Sequence, residues 1–382
     1  MLYRPAGNSP LMAIAVPQSN SILMSMPATR FSGIGRWAAL AVAGVTLLAI
    51  AVFIHLAMGY QPPDKAPTAS QGDLAVYDRI IDRMHHGEGY YPAAHAELLA
   101  GHYGTLSVFN WRLPLLSLVI NVFPATIWAE IAAGLVAIAA LLMAFTLFRQ
   151  TGNAVAGYLV APILAASLAA CATPAAVTFS DIITGVFILL SAMAYGLRLP
   201  VLGFAAAVLA LFMRELAAPY VLVCIWLAFR QGRGIELWAW FAALLGFGGY
   251  FLWHALSVQA QLGPQDIAYP DGWVQFGGFG FVLATAAFNG LLIGQPLWIT
   301  AILLPFALLG LIAWRGPAAS RVQATVAVYF LLFLVVGKPF NDYWGGLYTP
   351  LLMLGVPFVP AALRDLVLSL RGHEGGQTRS QP

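Results

Sequence analysis

The stretch WAALAVAGVTLLAIAVFIHLAM, residues 37–58, decides how the rest of the chain is read. Its 22 residues contain no Asp, Glu, Lys or Arg. A helix rises about 1.5 Å per residue, so this run spans the roughly 30 Å hydrocarbon core of a bilayer. Arg30 and Arg36 stand just before it. The run is long for the core of a cleaved signal and reads as an uncleaved anchor.

Similar runs recur near 126–148, 154–177, 182–197, 200–213, 217–229, 237–256, 296–314, 322–337 and 346–363. The expectation is an all-α polytopic membrane protein with about ten transmembrane helices. Composition agrees: 60% of the 382 residues are apolar and 9% charged, against about 25% charged in soluble domains. The runs are continuous rather than alternating, which argues against a membrane barrel. Cys171 and Cys224 lie inside apolar runs and read as small core residues, not as a disulfide or metal pair. Gly246, Gly248 and Gly249 read as a site of close helix packing. The inner loops are short and hold no phosphate-cradling Gly-Lys-Ser/Thr pattern.

Lys and Arg set the orientation. With the N-terminus inside, twelve of the 18 basic residues fall on the inner side, whereas twelve of the 15 acids fall outside. The chain divides into a cytoplasmic segment 1–35, a transmembrane domain 36–366 and a cytoplasmic tail 367–382. Three polar features face outward: the first loop 59–125, the loop 257–285 and the segment 338–346. Ionisable groups are costly beside lipid and mark function by default, so the first loop is the expected seat of chemistry.

Within it, 73–86 has a helical pattern. Asp73, Tyr77, Ile80, Ile81 and Met84 share one face at three- and four-residue spacing. Asp78 and Asp82 occupy the other faces and are expected to pair with Arg79 and Arg83. This is an amphipathic juxtamembrane helix. Asp73 after Gly72 also fits a helix N-cap. His85 and His86 are adjacent, which suits a helix end better than a metal pair. Arg112 precedes Leu113-Pro114. Arg214-Glu215 stands between two short spans, as an ion pair holding a helix break or with Arg214 gripping an anion. Asp181 at a helix start reads as a cap. In 338–346, Trp344 fits an interfacial aromatic belt, while the Asn341-Asp342 pair and the following glycines suit a sugar platform.

Together the motifs resemble the glycosyltransferase-C superfamily of integral-membrane sugar transferases. The resemblance rests on Gly-Asp-Leu-Ala-Val-Tyr-Asp-Arg-Ile at 72–80, Gly-Glu-Gly-Tyr-Tyr at 87–91, Arg-Leu-Pro at 112–114 and Arg-Glu-Leu-Ala-Ala-Pro from Arg214. Motif similarity covers about a fifth of the chain, and the subgroup using polyprenyl-phosphate mannose is nearest in size and loop plan. Many members carry two adjacent acids in the first loop; here Leu74 follows Asp73, which weakens a metal-binding role. A divalent ion is therefore left open as a cofactor.

The resemblance implies an inverting hexosyltransferase of the cell inner membrane, with both termini cytoplasmic and the site facing the periplasm. It would move a sugar from a polyprenyl-phosphate donor to a hydroxyl of a lipid or glycan acceptor. Asp73 is the implied general base. Tyr77, Tyr90, Tyr91, Arg112, Asp181, Arg214, Glu215, Lys338, Asn341, Asp342 and Tyr343 are the candidate substrate contacts. Membrane lipids are expected partners and nucleic acid is not. A transporter or flippase for an anionic lipid or sugar is the alternative.

Overall fold

A computed structural model describes residues 28–60, 72–151, 162–163, 165–168, 178–268 and 275–372. The expected span 154–177 falls mostly outside these residues, as do Asp64, Lys65, Cys171 and Asp271. The described residues form helices and no strands. Five helices are long and apolar enough to cross a membrane: Arg36–Gly59, Thr126–Thr146, Gly234–Gln259, Pro317–Val335 and Thr349–Leu370. Shorter apolar helices pack among them, and the chain is a helical membrane protein.

In chain order, α1 is Arg36–Gly59. The first loop holds α2 (Asp73–His85), α3 (Tyr90–Ala100) and α4 (Leu115–Val122). Next come α5 (Ala125–Thr151), α6 (Ser180–Gly196), α7 (Pro200–Met213), α8 (Ala218–Arg230) and α9 (Gly234–Gln259). The last third holds α10 (Gly278–Ala287), α11 (Leu297–Ala313), α12 (Pro317–Val335), α13 (Thr349–Leu352) and α14 (Val359–Leu370).

In their most apolar 18-residue stretches, only 11% of α1 and 11% of α9 is buried, against 61% within Thr349–Leu370. The first two therefore face outward, and the last crosses the interior. Its path is not the smooth span expected at 346–363. Pro350, Pro357 and Pro360 remove backbone donors, so it runs as short α and 3₁₀ pieces. The centre is α6, whose apolar and polar residues are buried on nearly every side.

One end of the bundle is fixed by long-range bonds. Arg30 N–H donates to the Ala313 carbonyl at 3.0 Å, and Thr29 N–H to Asp365 Oδ2 at 2.7 Å. Ser369 Oγ donates to the Phe31 carbonyl at 3.1 Å. The described start of the chain, the end of α11 and the end of α14 thus lie side by side. Residues 29–31 dock on the bundle through these bonds, and α14 runs on to Leu370.

Three other expectations are corrected. The 257–285 loop contains α10, a buried apolar helix. Its ten residues are too few for a span, and its Gly-rich entry hides it from a periodicity search. Gly248 and Gly249 have nothing within 4 Å of an added Cβ, and Gly246 only the tip of Phe212, so they make no close crossing. Trp344 is not in a belt; it is buried beside Phe281 and Phe333.

The close crossings lie elsewhere. A Cβ on Gly185 would sit 1.9 Å from the Gly346 carbonyl oxygen, and one on Gly310 would sit 2.0 Å from that of Gly355. These are backbone contacts that cannot swing away. Gly185→Ala should cost about 1–3 kcal/mol as an overpacking change. The check is the thermal midpoint of detergent-purified protein, with Gly248→Ala unchanged as the control.

Candidate functional site

The site is built at the end of the bundle opposite to residues 28–35. Gly72 has φ +96°, a conformation that favours glycine. It turns the chain so that Asp73 is the first residue of α2, where the helix dipole favours a carboxylate. The cap reading of Asp73 is not what forms: Gly72 holds that position, and no side chain caps α2. Asp73 Oδ1 instead accepts a hydrogen bond from the Tyr103 hydroxyl at 2.7 Å. Tyr103 follows His102, a non-glycine residue at φ +57°. Such a conformation is sparsely populated and persists where surrounding contacts enforce it.

The α2 face forms as expected, with Tyr77, Ile80, Ile81 and Met84 buried. The charged face pairs differently. Arg79 bonds Glu97 at 2.6 Å, and Arg83 reaches Glu88 at 2.7 Å and Glu97 at 3.4 Å. Asp78 and Asp82 are exposed, and Asp82 has only His86 at 3.9 Å. Glu97 on α3 and Glu88 in the turn before it are better placed, because α2 and α3 pack side by side.

Arg112 is set by its neighbours in sequence. Trp111 is buried, donates to the Thr105 carbonyl at 2.9 Å and stacks on His95. The Arg112 carbonyl accepts from the Tyr90 hydroxyl at 2.5 Å. Pro114 opens α4 and holds the preceding backbone out of the helix. The guanidinium is boxed by the rings of Tyr77, Phe179 and Tyr343, at 5.3, 5.9 and 5.5 Å from their centroids. Such contacts strengthen as water is removed.

Arg112 stands between two carboxylates. Its Nη2 is 3.9 Å from Asp73 Oδ2 and 3.7 Å from Asp181 Oδ2, and donates to the Tyr343 hydroxyl at 3.0 Å. Asp181 is not a cap: it is fully buried, and its Oδ1 accepts from Arg214 Nε at 3.0 Å. Arg214 ends α7 in an extended conformation, which breaks the helix before α8. Its Nη1 lies 2.8 Å from Glu215 Oε1. The result is a ladder of alternating charge: Asp73, Arg112, Asp181, Arg214, Glu215. Arg214 is 2% exposed, and its guanidinium is paired with both Asp181 and Glu215. Only the Asp73 end opens appreciably, at 27% side-chain exposure.

Burial works against the Arg112 charge, but Tyr77, Tyr343, Asp181 and Asp73 hold its pKa well above the ordinary value. Burial pushes the Tyr77 phenol up to about 12, and Tyr343 rises for the same reason. These phenols are therefore neutral donors at pH 7. Arg112 Nε, Asp181 Oδ2 and Asn341 Nδ2 are buried without a hydrogen-bond partner. Buried polar groups are nearly always satisfied, so such a group calls for a missing partner.

The remaining expected residues divide. Asn341 joins the cluster, with its Oδ1 accepting from the Tyr343 hydroxyl at 3.3 Å. Tyr91 turns away to His254 at 3.0 Å, inside an aromatic group with Trp253. Lys338 is buried with its Nζ 5.8 Å from the Phe340 ring centroid. Asp342 lies within electrostatic reach of Tyr60, and burial raises its pKa. Sequence reasoning missed Tyr103 and Phe179, because a tyrosine in Gly-His-Tyr-Gly and a phenylalanine in an apolar run carry no spacing signal.

A divalent ion fits this donor set poorly. Among the described residues no three His, Cys, Asp or Glu side chains gather as ligands. The space between Asp73 and Asp181, where a cation belongs, is filled by the Arg112 guanidinium.

A second polar contact ties the first loop to residues 263–267 beside the site. His95 Nε2 lies 2.8 Å from Asp266 Oδ1, Gly263 N–H donates to Asp266 Oδ2 at 2.5 Å, and the Thr105 and Leu106 N–H groups both reach the Ile267 carbonyl. Burial opposes the Asp266 charge, but hydrogen bonds including those from Gly263 and His95 overcome it and lower the pKa. A depressed carboxyl contributes stability above its unfolded pKa of about 3.9 and loses it as pH falls through the folded value. Wild type should therefore melt above Asp266→Asn at pH 7, and the gap should close below about pH 4.

No family model, no curated protein and no solved structure matches the chain.

Proposed function

We propose that the protein is an inverting membrane glycosyltransferase that takes a sugar from a polyprenyl-phosphate donor at the Asp73–Arg112 end of the bundle. One observation carries the reading: a partly open carboxylate stands beside a buried, ring-boxed guanidinium whose Nε has no partner. A hydroxyl becomes a nucleophile when its proton has an acceptor. Asp73 Oδ1 is held by Tyr103, which leaves Oδ2, 3.9 Å from Arg112, as the oxygen to act. Oδ2 takes the acceptor's proton as the acceptor oxygen bonds the anomeric carbon. The bond from that carbon to the phosphate oxygen breaks, and polyprenyl phosphate departs with the electron pair. Charge growing on that phosphate is met by Arg112 Nε, by Asn341 Nδ2 and by the neutral phenols, which are fixed before reaction. A single displacement inverts the sugar. The ten-span arrangement, the inner membrane and a periplasmic site belong to this reading.

One observation favours the second reading, a transporter or flippase. Asp181, Thr184, Ser191 and Tyr195 fall on one face of α6 and are all buried. Their stripe runs from Arg214 to a polar group at the other end. There Tyr220 donates to Ser191 at 2.7 Å, Arg321 Nη1 lies 2.8 Å from Cys224 Sγ and 3.7 Å over the Tyr195 ring, and Tyr195 donates to Glu236 at 2.8 Å. Transport requires polar groups in both halves of the membrane.

The deciding test offers purified protein a panel of polyprenyl-phosphate sugars and a lipid or glycan acceptor, with and without chelator. Transferase action gives a new glycoside at equal rate in both. Transport gives movement of labelled lipid across vesicles with no glycoside.

A further inference from the structure

At the end of the bundle away from Asp73, α11 and α14 enclose an open groove of about 820 Å³. Ligand sites commonly measure about 300–1,000 Å³. One wall is Leu303 and Phe306, and the other is Val359 and Leu363. Arg364 on α14 and Arg371 just past its end also line it. The wall is greasy and its exposed end is basic, with Arg30, Arg36 and Arg315 exposed at the same end. Arg30 is held there by its bond to Ala313 at the foot of α11. Asp365, next to Arg364 in sequence, is engaged by Arg364 at 2.8 Å and by Thr29 N–H at 2.7 Å.

We infer that this groove binds an anionic phospholipid, with an acyl chain between α11 and α14 and the headgroup phosphate on Arg371 and Arg364. The pairing follows from the chemistry of the walls. An acyl chain loses nothing by leaving bulk lipid for Leu303, Phe306, Val359 and Leu363. The gain comes from a phosphate gripped by guanidinium, which forks onto it with two parallel donors. Basic residues at a membrane surface attract anionic lipid. A zwitterionic lipid fills the groove equally well but brings its own ammonium against the arginines. Selectivity for the anionic headgroup is thus the signature. The site lies far from Asp73 and does not depend on the proposed transfer.

The test uses full-length protein in detergent, titrated with dioleoyl phosphatidylglycerol or dioleoyl phosphatidylcholine and followed by thermal midpoint. Wild type should gain several degrees more from the anionic lipid. Arg371→Gln should abolish the difference, and Leu363→Trp, which fills the groove from its 41% exposed position, should abolish the response to both lipids. Circular dichroism should show both variants folded. An equal response of wild type to the two lipids overturns the inference. So does a selective response that survives both substitutions, or one that inorganic phosphate alone reproduces. If Arg371→Gln does not fold, Arg371→Lys replaces it: weakened but persisting selectivity supports the site, and undiminished selectivity refutes it.

Discussion

Asp73→Asn should lower sugar transfer by about 10²- to 10⁴-fold, the range over which a positioned base contributes. The substitution keeps the size of the side chain and one carbonyl oxygen, so Tyr103 can still donate to it. What it removes is the proton acceptor and one of the two negative charges beside Arg112. Donor binding should persist or tighten slightly, since the phosphate then meets a less neutralised guanidinium. The loss should therefore fall on turnover rather than on donor affinity. Tyr103→Phe tests the same atom from the other side. Without that hydroxyl the carboxylate loses its orientation, and a smaller fall in turnover is expected. An Asp73→Asn protein that folds, binds donor and transfers sugar at the wild-type rate removes Asp73 from the role of base.

The largest loss of stability should come from Asp181→Ala. Asp181 is fully buried between Arg214 at 3.0 Å and Arg112 at 3.7 Å. Breaking a buried pair by removing one partner costs about 3–5 kcal/mol, because it strands a charge. Here one substitution affects two guanidiniums, so the upper part of that range applies. The pair itself need not be strongly stabilising, since apolar replacements of both partners are often neutral. Asp181→Leu with Arg214→Met should accordingly melt higher than Asp181→Ala alone, although it loses the order of Arg112 and so the activity. A double-mutant cycle on Asp181 and Arg214 should return a coupling well above that of an exposed pair. Independent behaviour of the two residues contradicts the ladder.

The class of the protein was legible from its apolar runs, because bilayer thickness forces long uncharged helices. The run 37–58 became α1 to within a residue or two, and the break at Arg214-Glu215 formed where two charges interrupt an apolar stretch. The amphipathic reading of 73–86 held for the apolar positions, whose spacing is fixed by the helix. Features that depend on tertiary contacts were not legible. Asp78 and Asp82 lost the arginines to Glu88 and Glu97 because a second helix packs alongside. Asp181 looks like a cap in sequence and is the middle rung of a ladder, since its partners lie 33 and 69 positions away. Trp344 looks interfacial and is core. The polar stripe of α6, from Asp181 through Thr184 and Ser191 to Tyr195, was not legible either. Serines and tyrosines scattered through apolar runs align only once the helix is formed.

The central claim is that a glycosidic bond is made at the Asp73–Arg112 end of the bundle. The most direct measurement incubates purified protein with an anomerically defined, labelled polyprenyl-phosphate sugar and an acceptor, and reads the product's anomeric configuration by NMR. A glycoside of opposite anomeric configuration, present with wild type and absent with folded Asp73→Asn, is the predicted result. A retained configuration, equal product from both proteins, or labelled lipid crossing the membrane with no glycoside formed from any donor in the panel contradicts it.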